Sequence, residues 1–380
     1  MRQSIFARIA AAPTDRKARE CAKALLRRIW LGMLGVSALL LTMSPAPGYA
    51  AEPAGAAHTE PLAVKVLVIN LFVLEAAPWI DALKPTQEIR VPGLSGDYPA
   101  VKCNADAVCQ MTTGMGHANA AASVMAALYS GLFDMRQSYV LVAGIAGIDP
   151  KRGTLGSAAW ARYVVDGGIA HEIDARELPT GWHDGYFGVL TDTPNQVPKF
   201  DYRTEMFRLD EALLQKALSL SQSVVLKDGK ELRAYRQHYP SAPANQAPTV
   251  IQCDTLSSDT WWSGQRLGAH ARHWTRLLTD GKGVYCTTQQ EDNAVMNALT
   301  RGSQSGLIDL QRVAVLRSGS DFDRPYPHQS VLASMQAQRA LAGAASVAAD
   351  NLVRAGMPLV EAIVQGWDQW QRGVPAASAQ

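Results

Sequence analysis

VYCTTQQEDNAVMNALTRG, residues 284 to 302, and VAVLRSGSDFD, residues 313 to 323, together decide how this chain folds. In the first, Ala294, Val295, Ala298 and Leu299 recur at the spacing of a helix buried on one side. Glu291 and Asp292 fall near its first turn, where the helix dipole favours carboxylates. In the second, Val313 to Leu316 form a continuous apolar run, which predicts a fully buried strand. That run passes into Arg317, Ser318, Gly319, Ser320, Asp321 and Asp323. In open α/β sheets ligands sit beyond the carboxyl ends of strands. An apolar strand giving way to polar groups therefore predicts a site, with Glu291 and Asp321 converging on one ligand.

Outward from this stretch, strand and helix patterns alternate, which predicts an α/β class. Val64 to Phe72 predicts a buried strand, with Glu75 at its end before a short helix around Trp79. Tyr98 to Gln110 reads as two short strands around a cysteine turn. TTGMGHAN, residues 112 to 119, is a glycine turn opening a helix, whose buried face is expected at Ala121, Val124, Met125 and Leu128. Tyr139 to Val142 predicts another buried strand, AGIAGIDPKRGTLG (143 to 156) a second glycine turn, and Ala158 to Asp166 a further strand. From Gly167 to Gln246 the pattern loosens into a long insertion; its one clear helix spans Asp210 to Ser219, with Asp210 as N-cap. A lid over the pocket is one use for it. Thr249 to Asp254 returns as a strand, Trp261 to Leu278 as an amphipathic helix, and His328 to Arg372 as a helical tail.

At 380 residues, 47% hydrophobic and 18% charged, the chain can bury a sizeable core. A net charge of +2 favours neither nucleic acid nor an anionic membrane surface as partner. Arg19, Lys23, Arg27 and Arg28 precede the apolar run Trp30 to Met43 and then SPAPGYA, the layout of a secretory signal with cleavage expected after Ala50. The run is shorter than the roughly 20 residues a bilayer needs, and Arg27-Arg28 leaves a twin-arginine route open beside ordinary secretion. The expected product is periplasmic or secreted, with a flexible lead-in over 51–63 and one domain over 64–380. Four cysteines would remain, an even number suited to an oxidising compartment. Cys103 and Cys109 flank NADAV at a hairpin tip, which predicts a local bridge; Cys253 with Cys286 is the other expected pairing. Neither spacing resembles a zinc site, and no metal is expected.

Each motif also has a bland reading. Gly114 and Gly116 could bring backbone N–H groups to an anion or sugar, or merely reverse the chain. There is no Walker lysine, no GxGxxG and no GxSxG, so nucleoside-triphosphate, dinucleotide and serine-hydrolase sites are not expected. His270 and His273 lie on an arginine-bearing helix face that reads as solvated rather than metal-binding. Trp261 and Trp262 suit either stacking on an aromatic ligand or core packing. Two glycine turns beside two carboxylates favour a shared pocket more than any one motif does.

Taken in order, TTGMGHANAAAS, AGIAGIDPKRGTLGS, CDTLSSDTWWSG, YCTTQQEDNAVMNAL and VLRSGSDFDRP closely resemble the purine nucleoside permeases of bacteria and fungi. That family in turn resembles the type I nucleoside phosphorylases and nucleosidases. The resemblance covers essentially the whole mature chain and implies a three-layer nucleoside-phosphorylase-like fold, a central mixed β-sheet flanked by helices. It implies a purine nucleoside as ligand, and Glu291 as the group that holds the ribose hydroxyls. Asp321 would protonate or hold purine N7, and Glu75 falls near the glutamate that activates water in the nucleosidases. Gly114, Gly116, His117, Ala146, Gly147, Asp259, Trp261, Gln290, Ser320 and Asp323 complete the implied substrate-binding set, with Trp261 near the base and Gln290 where methionine usually stands.

Ser157 departs from the aspartate expected in the second turn, and Ile145 from a hydroxyl residue. The arginines that grip phosphate in the phosphorylases have no counterpart near Gly114 or Tyr139, with Arg152, Arg317 and Arg324 as candidate substitutes. Hydrolysis is therefore expected over phosphorolysis. No cofactor is expected; phosphate stays open as a co-substrate. The rival expectation is a non-catalytic nucleoside-binding protein that assists uptake. Relatives of the implied fold often pair subunits, so a homodimer is a further expectation.

Overall fold

In the computed structural model, residues 60–341 and 343–376 are described. The expected signal segment and most of the lead-in lie outside them. At the end of the lead-in, Leu62–Ala63 pairs in parallel with Phe133–Asp134.

Strand β1 (Val66–Asn70) is buried throughout and lies between β2 (Val108–Thr112) and β3 (Tyr139–Ile148), parallel to both. Alternation along β1 sorts the core into two layers. Leu67 and Ile69 meet helices α2 (His117–Tyr129) and α4 (Asp292–Gln304), whereas Val66 and Val68 meet α1 (Val73–Leu83) and α5 (Ala344–Gln365). A mixed sheet with helices on both faces is the α/β layering the sequence predicts. The buried face of α2 is centred on Ala120, Ser123, Val124, Ala127 and Leu128, so the expected Ala121 and Met125 lie at its margin.

Strand β3 runs longer than its apolar sequence suggested. AGIAGI is not a turn: β3 continues through it to Ile148, and the chain turns only afterwards. The first half of β3 pairs with β1, its last two residues pair antiparallel with β5 (Tyr285–Gln289), and nearly its whole length pairs in parallel with β6 (Val313–Phe322). From β6 the pairing passes to Ala158–Trp160 and Val250–Gln252, and through β4 (Asp254–Ser257) back to β5. The circuit is completed by the chain itself, which runs from Val250–Gln252 through Cys253 into β4, and the sheet forks where β3 changes partners.

Strand β6 likewise carries Arg317 to Asp321 inside the sheet, with a register shift between Gly319 and Asp321. The expected strand 158–166 is broken at Ala161–Arg162 into two short ones. Of the segment 167–246, Met206–Arg208 joins the main sheet and helix Glu211–Ser221 packs into the core, with Asp210 accepting from Leu213 N as its N-cap. A second helix, Lys230–Arg236, gave no clear sequence signal. Helix α3 begins at Gln265 and ends at Leu278, leaving both tryptophans in the preceding loop. Disulfides join Cys103 to Cys109 and Cys253 to Cys286.

Candidate functional site

Where the sheet forks, a cleft of about 160 Å³ opens. Ile145, Ala146 and Gly147 of β3 line it together with Thr288 and Gln289 of β5 and Ser320 and Asp321 of β6. Glu75, Gln290 and Glu291 complete the polar wall, while Phe72, Met115 and Trp261 supply apolar surface. Met115 is 56% exposed and Trp261 45% exposed, so a ligand seated between the carboxyl groups would extend across these two side chains.

Three acidic side chains meet here for identifiable local reasons. Glu75 does not stand beyond a strand but in the first turn of α1, where both its oxygens are engaged. Leu71 N donates to Oε2 at 2.7 Å and Ile145 N to Oε1 at 2.8 Å. Burial pushes this carboxyl up to about 8, against the opposing pull of Arg317 and the two backbone donors. Glu291 precedes α4. The first amides of that helix are satisfied by Gln289 Oε1, which accepts from Glu291 N at 2.7 Å and Asp292 N at 2.9 Å. The Glu291 carboxylate can therefore reach across to accept from Gly116 N at 3.2 Å.

Asp321 accepts from Ser320 Oγ at 2.9 Å and keeps part of its surface open to the cleft. It nevertheless sits deep enough that burial pushes its carboxyl up to about 6; the Ser320 bond works against the rise and the charge of Asp323 adds to it.

Arg317 organises the centre. Its Nε donates to Asp292 Oδ2 at 3.1 Å, its Nη2 reaches Asp292 Oδ1 and lies 3.4 Å from Glu291 Oε2, and its Nη1 donates to Ile145 O at 3.0 Å. Gly144 makes room for it, since a Cβ there would lie 2.3 Å from Arg317 Nη1. The bidentate partner neutralises the guanidinium, so Arg317 is not a free phosphate grip. Arg324 is no freer: it is locked on Asp323, and Arg152 lies away from the cleft.

The remaining expected residues divide. Ala146, Gly147, Trp261, Gln290 and Ser320 line the cleft. Gly114, Gly116, His117 and Asp259 brace its mouth: His117 N donates to Asp259 Oδ1 at 2.7 Å, and Gln290 Nε2 donates to Asp259 O at 2.6 Å. The φ of Gly116 is +87°, which explains its glycine, and a Cβ there would crowd Asp259 Oδ1 at 3.2 Å. Asp323 does not line the cleft. The strand ends at Phe322, and Asp323 binds Arg324 through both oxygens and accepts from Tyr285 OH at 2.8 Å. Ser157, at the departure from the aspartate, is a buried structural hydroxyl facing Thr154 N and Thr249 N, each at 3.3 Å. Trp262, unlike Trp261, packs toward Tyr285 with its ring centroid 6.3 Å away. No residue of 167–246 lines the cleft. Phe72, Met115, Thr288 and Gln289 escaped the sequence reading because nothing in their local pattern distinguishes lining from core.

The description "Purine nucleoside permease (NUP)" fits residues 63–375 as a family match. A probable purine nucleoside permease of Schizosaccharomyces pombe is 39% identical over 317 residues, covering 80% of this chain and 90% of its own. A purine nucleoside permease of Candida albicans is 37% identical over 324 residues, covering 83% of this chain and 79% of its own. The chain belongs to the purine nucleoside permease family. Among solved structures, it is similar to the 5′-methylthioadenosine/S-adenosylhomocysteine nucleosidase from Neisseria meningitidis in complex with methylthio-immucillin-A. The TM-score there is 0.47 at 16% identity, with 78% of this chain and 99% of that chain covered. Among the described residues, no helix is long and apolar enough to cross a membrane.

Proposed function

We propose that the protein binds a purine nucleoside in this cleft and hydrolyses its N-glycosidic bond. The observation that carries the reading is the convergence of Glu75, Glu291 and Asp321 on one cleft, two of them with carboxyls pushed up by burial. Cleavage places positive charge on the sugar and negative charge on the departing base. Asp321, able to hold a proton, neutralises the base at N7. Glu291 orients the ribose through its hydroxyls and favours the cationic sugar. Glu75, when ionised, takes the proton of the attacking water.

Water is favoured over phosphate because the anion-binding positions are already filled. A helix N-terminus behind a glycine turn would suit a phosphate. In this protein Gly116 N donates to Glu291 and His117 N to Asp259, so carboxylates of the chain itself occupy those donors. The two disulfides and the N-terminal signal pattern support action outside the cytoplasm, in a periplasmic or secreted setting. Transport phenotypes would follow if the exported protein released bases for import.

The test is free-base release from inosine or adenosine by the purified mature chain, with and without phosphate. Release without phosphate supports the reading, phosphate-dependent release replaces it with phosphorolysis, and tight binding without release replaces it with a carrier. The pH dependence follows from the two raised carboxyls. Asp321 loses its proton as pH rises through about 6, and Glu75 ionises only toward about 8. The productive pair, Asp321 protonated with Glu75 ionised, is therefore a minority form. Accordingly kcat/KM is expected to rise with pH up to about 6, stay flat to about 8 and fall beyond. A rate that climbs steadily across that interval would remove Asp321 as the acid.

A further inference from the structure

At the other end of β5 from the cleft lies a groove of about 640 Å³, bounded by α3 and the turn that follows it. Arg152, Arg272, His273 and Arg276 line it beside apolar Leu277 and Val284, and no acidic side chain is among its lining residues. Arg272 is held in place: its Nη1 lies 3.0 Å from Asp149 Oδ2, on a wholly buried carboxylate whose other oxygen lies 3.1 Å from Arg324 Nη2. His273 is oriented as well, with Nε2 3.1 Å from Pro194 O. Arg152 and Arg276 are exposed, and among the described residues neither forms an ion pair.

Cations gathered around one concavity repel each other when it is empty and focus a field that draws in anions. Guanidinium groups suit phosphate oxygens because each presents a planar fork of donors. Arg272 shares its charge with Asp149, so among the described residues the groove's guanidinium groups without an acidic partner are those of Arg152 and Arg276. We propose that this groove binds a small phosphate-bearing anion, free or attached to a nucleoside, at a site separate from the cleft. Tyr285 lines the groove and Gln289 lines the cleft, at opposite ends of β5 and about 13 Å apart along an extended strand. A concave groove with one wall formed by the turn at Gly281, Gly283 and Val284, in a protein of net charge +2, suits a small anion better than a nucleic acid.

The experiment is calorimetric titration of the mature chain with pyrophosphate, ADP and adenosine, at low and at physiological salt, alongside inosine. Pyrophosphate is expected to bind one per chain, more weakly as salt rises, and without displacing inosine; ADP is titrated with inosine saturating the cleft and is expected to bind one per chain as well. Equal affinity for the two would assign recognition to the phosphates alone; tighter ADP would add a contact to the nucleoside portion. The Arg152→Ala/Arg276→Ala double variant should weaken both by about tenfold or more, with inosine binding unchanged. Because both side chains are exposed, an unchanged melting temperature is expected to accompany the loss. No binding of pyrophosphate, equal binding by the double variant, or competition of pyrophosphate with inosine would overturn the proposal. A single-stranded oligonucleotide that bound far more tightly than pyrophosphate would overturn it in favour of a nucleic-acid surface.

Discussion

Asp321→Asn is expected to lower purine nucleoside cleavage by about 10²–10⁴-fold, the contribution typical of a general acid. The amide matches the carboxyl in shape, and its oxygen can still accept from Ser320 Oγ, now at 2.9 Å from Asp321 Oδ1. It has no proton to give to a departing base. Nucleoside affinity, read by calorimetry, should therefore stay within a few-fold of the original while turnover collapses. Turnover at the original rate would take Asp321 out of the mechanism. Loss of affinity together with turnover would make it a binding group instead.

The second large effect is on stability. Arg317→Leu should cost about 3–5 kcal/mol, because it strips the partner from a buried carboxylate. Asp292 is fully buried and accepts from Arg317 at both oxygens. With leucine in place, the buried Asp292 carboxyl is left without its partner and Ile145 O loses its donor. Urea unfolding should show the loss as a lower midpoint with an unchanged slope. The double variant Arg317→Leu/Asp292→Leu should recover more than half of it, since a buried ion pair replaced as a whole by apolar groups is often near neutral. A single variant as stable as the parent would mean the guanidinium is not needed to hold the centre together.

The sequence carried the α/β layering and the meeting of Glu291 with Asp321, because both rest on signals local to a short window. One is an apolar helix face following two acids; the other is an apolar strand turning polar. Where more than one window decides, local reading failed. Gly144 and Gly147 look like turn glycines. In the structure they lie inside β3, one clearing space for Arg317 and the other facing Asp321 and Thr288. Only the partner strand reveals that use. Asp323 was grouped with Asp321 by proximity, yet the strand ends between them and the adjacent Arg324 captures it. Arg317 stood among possible phosphate grips until its two partners on Asp292 became visible, and no spacing rule relates residues 292 and 317. Asp259 gave no hint that it fills the helix N-terminus 142 positions earlier in the chain.

The fork in the sheet has a consequence for how the cleft treats its ligands. Residues 145–147, 288–289 and 321 are held by strand ladders, and Ser320 sits between two paired residues of β6, so most of the polar floor is set before any ligand arrives. Little ordering entropy remains to be lost there, and a misfitting group gains nothing by waiting for the floor to adapt. Met115 and Trp261 belong to connecting segments and stand half in solvent. Tolerance should therefore be graded along the ligand, strict at the end that meets the strands and permissive at the end that leans on those two side chains.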